Sequence, residues 1–441
     1  MTVQSSGSAI RFSNPYILLV VFLLFLANVI NYGHRLLLSI LLPQIEADIG
    51  LTDTEAGILM GGIFAVCYAI AGVPLARLAD RYVRKTFIAG ALLFWSVLTG
   101  LMGFVGSFVQ MALIRVGVGI GEAICIPCSH SLISDYVPVE RRASAFALHS
   151  AGSVVGITAS LMVGGYLGAL IGWRMTFMVM AIPGILVGLL IFLVMREPPR
   201  GYSDGATGLV EQPRLPDVVR HLVTKRTYLL VVLGVCFGML VEFGTNQWLP
   251  SFYVRQYGMT LDQVGLKYGL AVAVGGVPGS ILGGLLTDRL IKIDLRWMLW
   301  LPSLLYLLAI PVGLAMLGAE SADAALMINA AYAFLIMATN GPFWSAVFIL
   351  VPSSMRATTS AITLMIGGIV GLAMGPVLVG LISDNLTASL GEAALQESLR
   401  IVIMLAATVI VSLGAASFFL KREYAEVHSQ PLASAAPATE S

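Results

Sequence analysis

The sequence predicts an all-α membrane protein with twelve transmembrane helices in two pseudo-symmetric six-helix bundles. Three observations carry this prediction. Of 441 residues, 58% are hydrophobic and only 11% are charged, and the mean hydropathy is +0.90, well outside the range of soluble domains. Twelve predominantly apolar runs each reach the roughly 20 residues a helix needs to cross about 30 Å of hydrocarbon. Short charged motifs recur in the same order in the two halves of the chain.

In order, the runs fall at 16–42, 54–76, 86–106, 108–136, 140–170, 173–195, 228–256, 262–288, 297–318, 323–351, 355–384 and 397–420. An even number places both termini on one side. Most of the 25 basic residues lie in segments on that side, among them Arg77, Arg81, Arg84 and Lys85, Arg141 and Arg142, the group from Arg196 to Arg226, and Arg289, Lys292 and Arg296. The positive-inside rule makes that side cytoplasmic, in an inner or plasma membrane. The first run is too long for the core of a cleaved signal peptide. A net charge of +1, with no basic tail or stripe, predicts no nucleic-acid partner.

These runs divide the chain into a cytoplasmic N-terminal segment (1–15), an N-terminal bundle (16–195), a cytoplasmic linker (196–227), a C-terminal bundle (228–420) and a disordered cytoplasmic tail (421–441). The linker holds Pro198, Pro199, Pro213 and Pro216 and interrupts a series of short connections. Residues 72–81, GVPLARLADR, match 280–289, SILGGLLTDR, after the second run of each half. Residues 137–143, VPVERRA, match 351–357, VPSSMRA, after the fourth. Two matched loops in the same order indicate a duplicated six-helix unit.

Function is sought where ionisable residues enter the apolar runs, because such groups are costly in hydrocarbon unless they face a protected aqueous path. The first run contains Asn31, Tyr32, Gly33, His34 and Arg35 in succession. Glu122 and Glu242 fall about 21 Å along the fourth and seventh runs, near mid-depth and in opposite halves. Arg35 is therefore read as the group that binds an anionic substrate or pairs with Glu122, and Glu122 as the main protonatable group, with Glu242 as a second. His34 titrates near neutrality when unperturbed and is a further proton carrier. Asn31, Tyr32, Trp248, Trp344 and Asn340 are candidates to line the substrate path.

Other patterns have plainer readings. His130 and His149 lie at similar depth on consecutive runs, close enough to meet, and without a clear third ligand read as polar helix packing. Cys125 and Cys128 have redox-motif spacing but sit in an apolar run, where cysteine acts as a small hydrophobe. The 46 glycines, as in 152–156, 164–165 and 371–375, fit close helix packing. No phosphate-cradling Gly-Lys-Ser/Thr motif occurs, which argues against ATP-driven pumping; an enzyme is not expected, nor is a cofactor or metal.

The two halves, the 78–85 loop, and Arg115 followed by Gly117, Gly119 and Gly121 resemble the major facilitator superfamily. Asn31-Tyr32 with Arg35, the 119–123 segment GIGEA, Pro127 with 129–135, SHSLISD, and the 140–143 segment ERRA resemble its Spinster branch. The resemblance implies alternating access by two rocking bundles around a central site, and secondary active transport linked to protons. It also implies an amphipathic anion such as a lysolipid or sphingoid phosphate as substrate, with a small organic anion as the alternative. A non-coupled lipid scramblase or receptor on the same fold is a reading from another class. A monomer is expected, with protons, membrane lipids and a small molecule or lysolipid as its partners. Branch members commonly carry Asp before the first-helix Arg, where this chain has His34, so proton coupling is expected to take another form. The resemblance also assigns gating to Asp80, Arg81, Arg84, Arg115, Arg142, Asp288 and Arg289, through contacts present in only one access state.

Overall fold

The computed structural model describes residues 13–79, 83–199, 215–352 and 355–429, and these are almost entirely helical, with no strand among them. Ten stretches are long and apolar enough to cross a membrane. Two of these, Ser144–Val194 and Thr358–Glu426, each hold a break, at Gly172 (φ 74°) and Gly391 (φ 55°), so that each yields two rods. Glycine enters the left-handed region without a Cβ clash, which is why a continuous apolar sequence can turn there. Twelve rods result, as the sequence predicts.

The first bundle comprises α1 (Asn14–Ile49), α2 (53–79), α3 (Arg84–Phe104), α4 (Phe108–Tyr136), α5 (139–171) and α6 (173–194). The second comprises α7 (Arg226–Tyr257), α8 (Leu261–Leu290), α9 (Trp297–Leu317), α10 (Ala322–Phe348), α11 (356–390) and α12 (394–429). The fourth helix of each half is interrupted near its middle, at 123–124 in α4 and at 338–339 in α10. This repeats, in backbone geometry, the symmetry seen in the loop motifs.

Two segments differ from expectation. Within the 196–227 linker, Leu215–Thr224 is a helix that buries Val218 and Leu222 and brings His221 Nε2 to 3.1 Å from the Leu350 carbonyl. Residues 421–429, expected in a disordered tail, instead continue α12. Glu423 explains the continuation, since its carboxylate accepts from the free backbone N–H groups of Arg226 and Thr227 at the start of α7 (2.8 and 3.1 Å), a favourable place for negative charge. Lys421 adds an ion pair to Asp294.

The halves meet at the end of the molecule opposite the termini. There one apolar cluster runs from Leu37, Leu41 and Ile45 of α1 through Leu161 and Trp173 to Trp248, Phe252 and Tyr268 of the second half. Two glycine seams close the same end. A Cβ on Gly165 or Gly265 would overlap backbone of the facing helix across α5 and α8, and one on Gly57, Gly61 or Gly380 would do so across α2 and α11. Towards the terminal end the first bundle keeps a separate core around Leu24, Trp95, Leu132 and Tyr136. The glycines that the sequence marks for close packing lie at such crossings, Gly156 against Val29 and Gly375 against Leu240 and Gly244.

Candidate substrate and proton site

Asn31 and Arg35 stand one turn apart on α1 and therefore share a face. Arg35 Nη2 donates to Asn31 Oδ1 (3.3 Å). On α4, Glu122 is the last residue before the break, and its Oε2 accepts from both Arg35 Nε (3.2 Å) and Nη2 (3.0 Å). Arg35 is 7% exposed and Glu122 not at all. Three rings surround the guanidinium, those of Tyr32, Phe64 and Tyr68, with centroids 4.8, 4.9 and 5.2 Å from Cζ. The result is a buried ion pair in an aromatic box, where each charge is the other's partner. Gly119 permits this assembly, because a Cβ there would crowd the Phe64 carbonyl.

The box is not fully satisfied. Glu122 Oε1 and Asn31 Nδ2 are buried without a hydrogen-bond partner among the described residues. Buried polar atoms are normally paired, so an orphaned acceptor and donor beside one charged pair mark a place for a proton, water or ligand group.

Other predicted residues take different positions. His34, adjacent to Arg35 in sequence, faces α3 and α6: its Nε2 lies 2.9 Å from the Met180 carbonyl and its Nδ1 3.3 Å from the Thr99 hydroxyl. A carbonyl can only accept, so Nε2 carries a proton and donates to it, while Nδ1 faces Thr99. Arg115 donates to the Leu59 and Met60 carbonyls (2.9 and 3.2 Å). Both belong to a π-helical segment, Ile58–Gly62, in α2. Arg115 thus braces a widened turn beside the glycine seam with α11, and shares the Phe64 ring with Arg35 (5.0 Å from Arg115). Trp248, predicted to line the substrate path, is completely buried and its Nε1 donates to the Pro376 carbonyl (2.9 Å), so it packs α7 on α11.

In the second half, Glu242 opens onto a cavity of about 170 Å³ lined by Met239, Phe243, Tyr306, Thr339, Asn340, Phe343, Trp344 and Thr363 among others. Asn340 and Trp344 are among the residues that line it. Gly238 leaves room for the Tyr306 hydroxyl.

The predicted gating residues split. Asp80 and Arg81 lie outside the described residues. Arg84 donates to Glu197 (2.7 Å), Ser131 (2.8 Å) and Asp135, and Arg142 to the Ser134 carbonyl (2.7 Å) at the end of α4. These contacts brace the terminal end of the first bundle internally. Asp288 and Arg289 are exposed at the end of α8. His130 and His149 do meet, with ring centroids 5.1 Å apart, and Cys125 and Cys128 are buried in the first bundle's core.

Sequence reasoning missed a charged cluster that joins the halves at the end opposite the termini. Arg255 of α7 binds Asp53 through two N–H groups (3.0 and 2.6 Å) and Glu46 through one (2.8 Å). Asp384 of α11 accepts from the backbone N–H groups of Asp53 and Thr54 (3.1 and 2.8 Å), capping α2 from the other half. The Ser39 hydroxyl donates to the Gln247 carbonyl nearby. The available signal was the Thr52–Glu55 capping box and the placement of Arg255 away from the basic side.

Comparison with known proteins bears on this arrangement. The Major Facilitator Superfamily model matches residues 24–376. An MFS-type efflux pump of Mycolicibacterium smegmatis is 34% identical over 379 residues, 86% of this chain and 87% of that one. A probable L-galactonate transporter of Escherichia coli is 29% identical over 61% of each chain. Among solved structures, a bacterial homologue of the human lysosomal transporter Spinster, in an inward-facing and unoccupied conformation, superposes with a TM-score of 0.86 at 28% identity, covering 93% of this chain and 99% of that one.

Proposed function

Since this chain belongs to the major facilitator superfamily, in its Spinster-like branch, and is a multi-pass membrane transporter rather than an enzyme, we propose that it moves an organic anion by alternating access coupled to protons. The observation that carries the proposal is the buried Arg35–Glu122 pair with its orphaned Glu122 Oε1. Arg35 requires a counter-charge in this buried box, and Glu122 supplies it. A proton on Glu122 removes that charge and frees the guanidinium, which then takes the carboxylate or phosphate of the substrate in a charge-assisted, bidentate contact. Substrate and proton therefore enter together, each making room for the other.

The state described here is closed at the end opposite the termini by the Arg255 cluster and the glycine seams. By charge distribution that end is external and both termini are cytoplasmic, in the plasma or inner membrane. A motion that opens this end has to break the Arg255 contacts between the halves.

Phe243, Phe343, Trp344 and Met239 around the cavity of the second half favour an amphipathic substrate such as a lysolipid, whose apolar body they would accept. A small organic anion is the second reading, favoured by the L-galactonate transporter among the relatives and by Thr339, Asn340 and Thr363 in the same cavity.

The test is reconstitution in liposomes, following uptake of labelled lysolipids beside a panel of organic acids, with and without an imposed inward proton gradient. Gradient-dependent lysolipid uptake is the expected result. Uptake of an acid alone moves the protein to the second reading, and lipid movement in both directions without a gradient overturns coupled transport.

A further inference from the structure

Glu242 differs from every other acid in the interior. Its carboxylate faces the cavity of the second half, and among the described residues it makes no hydrogen bond or ion pair. Among the described residues no arginine, lysine or histidine lines that cavity. Instead the lining brings the rings of Phe243, Tyr306, Phe343 and Trp344 around the acid, with Tyr306 and Phe343 tilted at 6.2 Å and Trp344 held by stacking on Phe348 at 5.6 Å. The neighbouring Phe243 also packs into the core of the first bundle, with Leu372 and Ala373 of α11, so the cavity borders the interface between the halves.

A carboxylate set among aromatic rings, without a basic partner, is complementary to an organic cation. The acid supplies the opposite charge, and the ring faces supply the quadrupole attraction that quaternary and protonated amines exploit. A volume of about 170 Å³ equals roughly five or six waters at ~30 Å³ each, enough for a small ammonium head.

We propose that the Glu242 cavity is an ammonium subsite, so that the transported molecule is zwitterionic, with its anionic group at Arg35 and its amine at Glu242. This rests on the transport reading above and narrows the substrate class. A proton on Glu242 would neutralise the acid but leave the surrounding ring faces without use. An ammonium group engages both.

The test uses the full-length chain in lipid nanodiscs, titrated with two soluble probes that share a tail, hexyltrimethylammonium and hexyl phosphate, with empty nanodiscs subtracted. In Glu242→Gln the ratio of ammonium affinity to phosphate affinity should fall by at least about tenfold, as expected when one member of a buried charged contact is removed. An unchanged ratio overturns the subsite. In Arg35→Gln the ratio should move the opposite way. An unchanged phosphate affinity there overturns the anion site and leaves the ammonium subsite standing, so the two failures are distinguishable. The native chain gives a check that needs no variant. Carbodiimide modification of Glu242, mapped by mass spectrometry, should be slowed by hexyltrimethylammonium, and equal rates with and without the probe would also overturn the proposal.

Discussion

The two bundles repeat one backbone plan but carry opposite solutions for a buried acid. In the first, α4 breaks at 123–124 and presents Glu122 to Arg35, which neutralises it within an aromatic box. In the second, α10 breaks at the corresponding place, 338–339, and presents Asn340 to a cavity where Glu242 of α7 has no basic partner among the described residues. Duplication therefore preserved the interruption, where a helix yields backbone regularity to a site, and not the charge placed beside it. The physical difference is that the first acid is held by the protein and must be released, whereas the second is already open to what enters.

The largest effect should come from breaking the held pair. Arg35→Gln leaves Glu122 buried without a counter-charge, at a cost of about 3–5 kcal/mol. A clear fall in melting temperature and loss of anion uptake are expected. The double variant Arg35→Leu/Glu122→Leu should recover the stability while remaining inactive, because packed apolar groups replace a buried ion pair at little cost. Glu242→Leu should lose no stability at all. A melting temperature that drops as far in Glu242→Leu as in Arg35→Gln would erase the contrast between the halves.

Glu122→Gln should separate binding from coupling. The amide keeps the shape but holds no charge, so Arg35 is permanently available. Exchange of labelled for unlabelled substrate should persist, while gradient-driven accumulation disappears. Accumulation that survives in this variant would place the coupling proton elsewhere.

Arg255→Gln should act more weakly and at a distance. It removes the contacts to Asp53 and Glu46 but leaves Asp384 on the α2 N-terminus and leaves both glycine seams. A shift of about 1–3 kcal/mol between access states is expected. Spin labels at Leu51 and Glu392 would report it as a larger population with a long distance between the halves. An unaltered distance distribution would show that packing alone closes this end.

What was readable in the sequence follows the same division. The spans, the repeated loops and the pairing of Arg35 with Glu122 were legible, because a deep positive and a deep negative charge on adjacent helices have few alternatives to each other. The Arg255 cluster was not, since Glu46, Asp53, Arg255 and Asp384 lie at helix ends, where charge is ordinary and its partner is set by how the bundles face. The helix Leu215–Thr224 was overlooked among prolines although Val218 and Leu222 stand one turn apart. The packing of Trp248 was not legible, because the sequence gives its depth and not the direction of its ring, which packing against Pro376 decides.

The smallest expected effect is at His34, and it tests the contrast most sharply. The residue stands beside Arg35 in sequence, and a titratable group there is the natural first candidate for the proton. Geometry argues otherwise: the ring turns to the Met180 carbonyl and the Thr99 hydroxyl, on the side of α1 that packs against α3 and α6, with Gly184 close behind it. A glutamine at this position can still donate to the Met180 carbonyl and cannot titrate. His34→Gln should accordingly keep gradient-driven accumulation near its original level, with a stability loss of about 1 kcal/mol or less if that hydrogen bond re-forms. His34→Asp should do worse in stability, because a carboxylate has no proton to give a carbonyl and would be buried facing one. Stronger coupling in His34→Asp, or lost coupling in His34→Gln, would move the proton from Glu122 to α1 and make the held pair a scaffold rather than a switch.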